Sequence, residues 1–203
     1  MTSLNNKYPE IILASASPRR AELLDQIGVK YTIQPVDIDE SSQANETPES
    51  LVKRLAIEKS QAVHVDYDAN EKGLAVLGSD TLGVLSSGLV NLELLVKPRD
   101  FEHAHHMLSN MSGNWHEILS AVALSYKGKT EIRLNRNRVL FRELSLKEIE
   151  EYWETGEPQD KAGAYAVQGL AAAFIERIEG SYSGIMGLPL FETADLLKNI
   201  NNK

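Results

Sequence analysis

The chain has 203 residues, a length that suits one large domain or two small lobes with a real core. Hydrophobic residues make up 42% and charged residues 25%, as in ordinary soluble globular proteins, and the lack of cysteine excludes disulfides, thiolate chemistry and cysteine-ligated zinc. The net charge of −8 argues against nucleic acid polymers as partners, because these reward a basic face, but a few local cations can still hold a small phosphorylated substrate.

The N-terminus carries no targeting signal that we can identify. Met1 to Glu10 is polar and lacks the apolar core of a signal peptide, and no apolar run approaches the length of a membrane span. We therefore expect a cytoplasmic protein without a membrane partner.

The first half of the chain alternates short strands and helices. Ile11 to Ala14 predicts a buried strand, and the next helix begins with Ser17 as N-cap and Pro18 at its first position and ends at Gly28. Further predictions are a strand at Tyr31 to Val36, a helix opened by Thr47-Pro48, a strand at Leu74 to Leu77 that runs into Gly78-Ser79-Asp80-Thr81 and continues at Leu82 to Leu85, and a turn at Ser86-Ser87-Gly88.

The second half combines helices with hairpins. We predict a helix at Asp100 to Met111, a hairpin of Trp115 to Tyr126 and Thr130 to Phe141, a helix opened by the capping box Ser145 to Glu148, short strands around Ala164 to Gln168 and Ala172 to Ile178, and a final helix opened by Pro189. The irregular alternation predicts an α/β fold with a mixed sheet and flanking helices. No linker is evident, so we expect a single domain spanning residues 1–203.

The segment Ser15-Ala16-Ser17-Pro18-Arg19-Arg20 lies between a predicted strand and a helix N-terminus. Free backbone N–H groups at such a position attract anions, two arginines add positive charge, and the serine hydroxyls can donate to phosphate oxygens. This segment is therefore a candidate phosphate site, with a capped helix that carries solvent-exposed arginines as the alternative.

Acidic residues occur in two separate places. Asp37, Asp39 and Glu40 follow the second predicted strand, and Asp80 lies at what we predict to be a strand end. Magnesium binds one or two carboxylates together with substrate phosphates, so these residues are candidate metal ligands, with solvated loop carboxylates as the alternative.

Two further segments carry candidate functional groups. Pro98 disfavours helix at Lys97, which leaves this lysine in an extended segment from which it can reach a phosphate, with a solvated lysine as the alternative. Between Gly156 and Gly169, glycines, charges and an amide are packed closely, and an amide that both donates and accepts can read the edge of a pyrimidine base.

The ordered set of these motifs resembles the Maf family over nearly the whole chain, from Ile11 to Leu197. The motifs that carry the resemblance are Ala14-Ser15-Ala16-Ser17-Pro18-Arg19-Arg20, Gly78-Ser79-Asp80-Thr81, Lys97-Pro98, Ser112-Gly113, Asp160-Lys161-Ala162-Gly163-Ala164-Tyr165 and Gly187-Leu188-Pro189-Leu190. Each motif alone is weak evidence, whereas their common order is strong evidence.

The resemblance implies a fold and a set of roles. The fold has two lobes around a central cleft, and dimers are frequent. Ser15, Ser17, Arg19 and Arg20 match the phosphate-gripping loop; Glu40 and Asp80 match an acidic pair that binds Mg²⁺ or Mn²⁺ and activates water; Lys59 and Lys97 match basic residues of the cleft; Thr81 and Gln168 match positions linked to base recognition. The implied catalytic residues are Asp80, Glu40 and Lys97.

The same resemblance implies hydrolysis of a nucleoside triphosphate to its monophosphate and pyrophosphate. Thr81, Lys161, Tyr165 and Gln168 place the chain with the subgroup that acts on dTTP and UTP. The alternatives are a 7-methyl-GTP type of pyrophosphatase and a nucleotide-binding regulator of cell division that needs no turnover.

One segment departs from the family pattern. The stretch Leu85 to Val96 is several residues longer than usual, and Gly83 stands where an apolar strand residue is common. The additional residues either lengthen a hairpin or shift Lys97.

Overall fold

A computed structural model describes residues 7–65, 73–87 and 91–200. Within these residues the chain forms seven strands and six α-helices, in the order β1 (Ile11–Leu13), α1 (Pro18–Gln26), β2 (Tyr31–Ile33), α2 (Pro48–Val65), β3 (Ala75–Ser87), β4 (Asn91–Leu95), α3 (Phe101–Met111), β5 (Trp115–Tyr126), β6 (Lys129–Phe141), α4 (Leu146–Glu154), β7 (Ile175–Glu179), α5 (Tyr182–Met186) and α6 (Leu190–Ile200). None of the helices in this part of the chain is long and apolar enough to cross a membrane.

The strands form a mixed sheet, which confirms the predicted α/β class. Their order is β2-β1-β3-β5-β6-β7, and β4 pairs with β3 outside this path. Strand β1 runs parallel to both β2 and β3, whereas β3 with β4 and β6 with β7 are antiparallel.

The chain divides into two compact units. The first contains Met1–Thr81, Ser120–Asn135 and Gly187–Lys203, and the second contains Leu82–Leu119 and Arg136–Met186. Neither unit is one continuous segment, because the long strands β3, β5 and β6 each contribute residues to both.

In the first unit, apolar residues of β1, β3 and α2 are buried together. Ile12, Ala14, Val63 and Val76 form one cluster. Gly78 lets α2 approach β3 closely, since a Cβ at this position would lie 2.4 Å from the Ala56 carbonyl oxygen and 2.5 Å from the Ser60 nitrogen. A glycine in the strand therefore sets the distance between helix and sheet.

In the second unit, α3, α4 and the strands enclose a core that contains Met107, Phe141, Tyr152 and other buried apolar residues. Most of the described residues in the long Leu85 to Val96 segment belong to β3 and β4, which pair antiparallel with Gly83 opposite Leu95. A Cβ at Gly83 would lie 2.8 Å from the Leu95 Cβ, so the glycine permits this pairing. The predicted turn at Ser86-Ser87-Gly88 falls partly outside the described residues.

Most predicted helices and the long β5–β6 hairpin are confirmed. Helix α4 has its capping box, in which Ser145 and Glu148 each accept a hydrogen bond from the other's backbone N–H. Helix α3 is capped by Asp100, which accepts from the backbone of His103. Strand β2 is shorter than predicted, and α5 was not predicted.

The predicted strand around Ala164 to Gln168 is wrong. Gly163 and Ala164 have φ angles of +73° and +57°, and these turn the chain out of the extended conformation that a strand requires. The backbone of Gly163 donates to the Val96 carbonyl, and that of Ala164 to the Lys161 carbonyl.

The strand predicted at Ala172 to Ile178 begins later, as β7 at Ile175. Residues Leu170–Phe174 instead form a 3₁₀ helix. Its first two N–H groups, of Leu170 and Ala171, donate to the carboxylate of Glu157. A side chain thirteen residues earlier thus caps a helical turn where local alternation predicts a strand.

Candidate active site

The segment after β1 leaves the N-terminus of α1 open. Ser17 occupies the N-cap position and Pro18 follows, as predicted, but the Ser17 side chain makes no capping hydrogen bond. The hydroxyl of Ser15 instead accepts from the Ser17 N–H at 3.2 Å. Backbone donors at an uncapped helix N-terminus attract an anion, which supports the phosphate site predicted here.

Arg20 lies beside this N-terminus in a fixed orientation. Its Nη1 donates to the Ser15 hydroxyl at 3.0 Å and its Nε to the Gly187 carbonyl at 2.9 Å. Burial lowers the pKa of Arg20 from its usual value, although the charge of Asp80 opposes this shift. The side chain of Arg19 has no hydrogen-bond or ion-pair partner in the described part of the chain and adds a second positive charge.

Lys59 on α2 joins the two predicted carboxylates. Its Nζ lies 2.8 Å from Asp80 Oδ1 and 2.6 Å from Glu40 Oε1. Lys59 and Asp80 are buried, with 10% and 8% of their side chains exposed, whereas Glu40 is 60% exposed. An ammonium has three donors, and the described residues provide acceptors for two of them, Asp80 and Glu40.

Asp80 lies inside β3 and not at a strand end as predicted. Strand β3 continues to Ser87, but its neighbour β1 ends at Leu13, which pairs with Leu77. Asp80 therefore lies three residues after Leu77, the last residue of β3 that pairs with β1. At Asp80, this edge of β3 is no longer paired with β1. The ending of the neighbouring strand, not of its own strand, leaves room for a functional group here.

The second oxygen of Asp80 makes the acidic pair suitable for a cation. Asp80 Oδ2 is buried and has no hydrogen-bond partner among the described residues. Burying a carboxylate oxygen without a hydrogen-bond partner costs desolvation free energy, and a cation bound at this position would offset that cost. The described residues contain no group of three or more histidine or acidic side chains placed to hold a metal. This donor set fits Mg²⁺ or Mn²⁺, which also bind substrate phosphates, better than it fits a closed structural metal site.

Thr81 follows Asp80 and is held by a buried partner. Its hydroxyl lies 3.0 Å from that of Ser120, a residue of β5 that is completely buried. A Cβ on Gly187 would lie 3.8 Å from the Thr81 hydroxyl. Gly187 therefore lies next to the Thr81 hydroxyl and also accepts the hydrogen bond from Arg20.

Lys97 and Gln168 belong to the second unit. Both side chains are exposed, and neither has a hydrogen-bond or ion-pair partner in the described residues. The Gly163 N–H donates to the carbonyl of Val96 at 3.0 Å, which joins the residue before Lys97 to the loop that carries Gln168. The roles of Lys97 and Gln168 stay predictions.

Two residues of this site were not identified as functional from the sequence. Ser79 is completely buried, and its hydroxyl lies 3.1 Å from the Gly187 carbonyl and 2.9 Å from that of Ala121. Gly187 has a φ of +120°, which favours glycine. Both belong to motifs that the sequence singled out, but no local signal indicates that they contact each other.

A comparison with models of protein families matches residues 10–200 to the model described as "Maf-like protein". The chain belongs to the Maf family. A protein of Alkalilimnicola ehrlichii is 51% identical over 93% of this chain and 92% of its own length. One of Methylobacillus flagellatus is 50% identical over 93% and 92%, and one of Hahella chejuensis 47% identical over 95% and 93%. Each of these three relatives is called a dTTP/UTP pyrophosphatase.

The first unit of this Maf protein thus combines three chemical capacities. Arg20, Ser15 and the α1 N-terminus provide donors for a phosphate group. Asp80 and Glu40 provide carboxylates that can hold a cation or accept a proton from water, and Lys59 balances their charge. Such a combination suits attack of water on a phosphate anhydride, where a polyanion must be neutralised while a nucleophile approaches.

Proposed function

We propose that this protein hydrolyses nucleoside triphosphates, with dTTP and UTP preferred, to the monophosphate and pyrophosphate. Water attacks the α-phosphorus in line with the departing pyrophosphate. The bond that breaks joins the α-phosphorus to the oxygen that bridges the α- and β-phosphates. The observation that carries the proposal is the buried Asp80, which has one oxygen paired with Lys59 and the other without a partner among the described residues. The names of the relatives supply the substrate class.

Each residue of the site has a part in this reaction. Ser15, Ser17, Arg19 and Arg20 bind phosphate oxygens, and Lys59 and Lys97 offset their negative charge. Asp80 and Glu40 hold a divalent cation, and one of them orients or deprotonates the attacking water. Bound Mg²⁺ or Mn²⁺ supplies charge neutralisation on phosphate oxygens and makes water more acidic. Thr81 and Gln168 contact the base.

The paired carboxylates favour turnover over binding alone. A site that only binds a polyanion gains nothing from Asp80 and Glu40, because their charges repel the substrate. A binding protein that regulates cell division would therefore be expected to lack this pair. The 7-methyl-GTP type of activity is the second alternative, and the relatives' names favour the first subgroup over it.

We further propose that residues 1–203 act as one domain in the cytoplasm, as a homodimer. Both units are discontinuous in the chain, so cutting at any single position cannot separate them as two intact pieces. Limited proteolysis should accordingly release neither unit in folded form. A folded fragment containing only one unit would contradict the single domain.

The deciding experiment is a substrate panel. Purified protein is incubated with dTTP, UTP, CTP, GTP, 7-methyl-GTP and ATP in Mg²⁺ or Mn²⁺, and pyrophosphate and monophosphate are measured. We expect the highest kcat/KM for dTTP and UTP, and no release of inorganic phosphate. Preference for 7-methyl-GTP would support the second subgroup, and tight binding without products would support the regulator.

Removal of the metal tests the role of the acidic pair. Excess chelator should abolish pyrophosphate release, and added Mg²⁺ or Mn²⁺ should restore it, because the charge on the triphosphate is then offset again. A calcium-saturated chelator serves as the control for unspecific effects. Full turnover in excess chelator would rule out a metal-dependent reaction.

A further inference from the structure

The guanidinium of Arg20 is held by the protein at two of its three nitrogens. Nε donates to the Gly187 carbonyl at 2.9 Å, and Nη1 donates to the Ser15 hydroxyl at 3.0 Å. An arginine has five N–H donors. Since no other acceptor in the described residues contacts the guanidinium, both hydrogens of Nη2 and one of Nη1 stay free.

The Gly187 carbonyl is itself held by a buried hydroxyl. Ser79 Oγ lies 3.1 Å from this carbonyl and 2.9 Å from the carbonyl of Ala121, so its single proton is shared between two acceptors. Ser79 is completely buried on β3, and Ala121 is a residue of β5. The hydroxyl thus ties the carbonyl that orients Arg20 to two strands of the sheet.

The Ser15 hydroxyl has only one way to contact an anion. It accepts from the Ser17 N–H at 3.2 Å and from Arg20 Nη1 at 3.0 Å. A hydroxyl oxygen has two lone pairs, and these two donors occupy both. Its proton is therefore left to donate.

We propose that Ser79 and Gly187 are positioning residues for Arg20, which they fix so that its free Nη hydrogens and the Ser15 hydroxyl together receive the oxygens of one phosphate group. This inference rests on the proposed function, because it assumes a triphosphate ligand. Ser79 touches no substrate and acts through the Gly187 carbonyl. The orientation exists before the ligand binds, so binding does not have to order the arginine.

A double-mutant cycle tests the coupling between Ser79 and Arg20. The probe is α,β-methylene-UTP, which cannot be cleaved at the proposed bond, and its Kd is measured by calorimetry with Mg²⁺ present. Ser79→Ala should weaken binding about 10-fold in the wild-type background and less than about 2-fold in Arg20→Lys, because only residues that act through each other are non-additive.

Ser125→Ala provides the matched control. Ser125 is another buried serine of the first unit, with its hydroxyl paired to those of Ser60 and Thr130. It should change the Kd by less than about 2-fold in either background. Equal losses for Ser79→Ala in both backgrounds would overturn the proposal and leave Ser79 a merely structural residue.

A measurement on the unmodified protein does not depend on the folding of a variant. In the ligand-free wild type, the Nε–H of Arg20 should exchange with water at least about 10-fold more slowly than that of Arg19, as followed by ¹⁵N NMR of arginine side chains. Equal exchange rates would overturn the fixed orientation.

Failure of this inference can be told apart from failure of the proposed function. If the wild type binds the analogue but releases no pyrophosphate from any triphosphate, the proposed function is wrong. The double-mutant cycle then still tests whether Ser79 positions Arg20. If the wild type turns over UTP while the cycle is additive, the function stands and the inference is wrong. A wild type that neither binds the analogue nor releases pyrophosphate from any triphosphate would overturn both.

Discussion

At the scale of single residues, Asp80 is the charge on which the proposed reaction depends. Replacing it with asparagine keeps the shape but removes the charge that holds a cation or activates water. We expect Asp80→Asn to lower kcat for UTP by about 100-fold or more. Substrate binding can become tighter, because one negative charge near the triphosphate is gone.

Asp195→Asn serves as the control for Asp80. Asp195 lies in the same unit and pairs with Arg133, and it contacts none of the proposed site residues. It should leave kcat within about 2-fold of the wild type, as surface ion pairs contribute little. Near-normal kcat in folded Asp80→Asn would place the chemistry elsewhere.

Gln168 is the residue on which base selectivity depends in our proposal. Thymine and uracil offer N3–H between two carbonyls, and an amide can match an adjacent N–H and C=O pair, whereas cytosine has an acceptor at N3. Gln168→Leu should lower kcat/KM for UTP by an amount that corresponds to about 1–3 kcal/mol of lost transition-state stabilisation. The kcat/KM for CTP should change much less.

Gln159 offers the matching control for this substitution, since it is an exposed glutamine of the same unit, in the 3₁₀ helix Glu157–Asp160. Gln159→Leu should leave the ratio of kcat/KM for UTP and CTP unchanged. If Gln168→Leu lowers kcat/KM for UTP and CTP equally, Gln168 stabilises the loop and does not recognise the base.

At the scale of secondary-structure elements, the contact between α2 and β3 places Lys59 beside Asp80. Gly78 permits it, because a methyl group there would lie 2.4 Å from a helix carbonyl oxygen and 2.5 Å from a helix nitrogen, both in backbone that cannot easily give way. Gly78→Ala should therefore move the helix from the sheet. We expect a loss of about 1–3 kcal/mol in the free energy of unfolding and a clear fall in kcat.

Gly128→Ala separates this effect from the general cost of replacing a glycine. Gly128 lies in the β5–β6 turn with a φ of +75°, and nothing lies within 4 Å of the added Cβ. It should cost about 1 kcal/mol in stability through backbone strain and leave kcat unchanged. Equal activity of the Gly78 and Gly128 variants would mean that the helix position does not matter for Lys59.

At the scale of the whole molecule, stability should depend on pH through His116. This imidazole is buried in the second unit, 2.7 Å from the Tyr165 hydroxyl, and burial lowers its pKa to about 3. Its unfolded value is about 6.5. Below pH 6.5 His116 is protonated in the unfolded chain, whereas in the folded chain it is protonated only near pH 3. Protonation of His116 therefore favours unfolding.

The free energy of unfolding should accordingly fall by about 1.4 kcal/mol per pH unit from this group as the pH drops from 6.5 towards 3. Tyr165 is neutral throughout that range, because a phenol ionises only near pH 10 and burial raises its pKa further. Denaturant unfolding of the wild type and of His116→Gln at several pH values measures the difference. Parallel pH profiles would show that His116 becomes protonated without cost in the folded protein.

Much of the fold followed from local sequence signals. The capping box of Ser145 and Glu148, the Asp100 cap and the proline at position 18 fix backbone conformation within one helical turn, so the helices they open were predicted correctly. The order of the motifs was sufficient to predict the Maf family, which the family model confirms.

Tertiary structure decided how distant groups meet. Lys59 and Asp80 are 21 residues apart in the chain, Ser79 and Gly187 are 108 apart, and Arg20 and Gly187 are 167 apart. The turn at Gly163 and the 3₁₀ helix capped by Glu157 likewise overrode a local pattern that favours strands. Short-range propensities set the elements, whereas the packing of α2 on β3 and the buried hydrogen bonds to the Gly187 carbonyl depend on contacts that no local window of sequence contains.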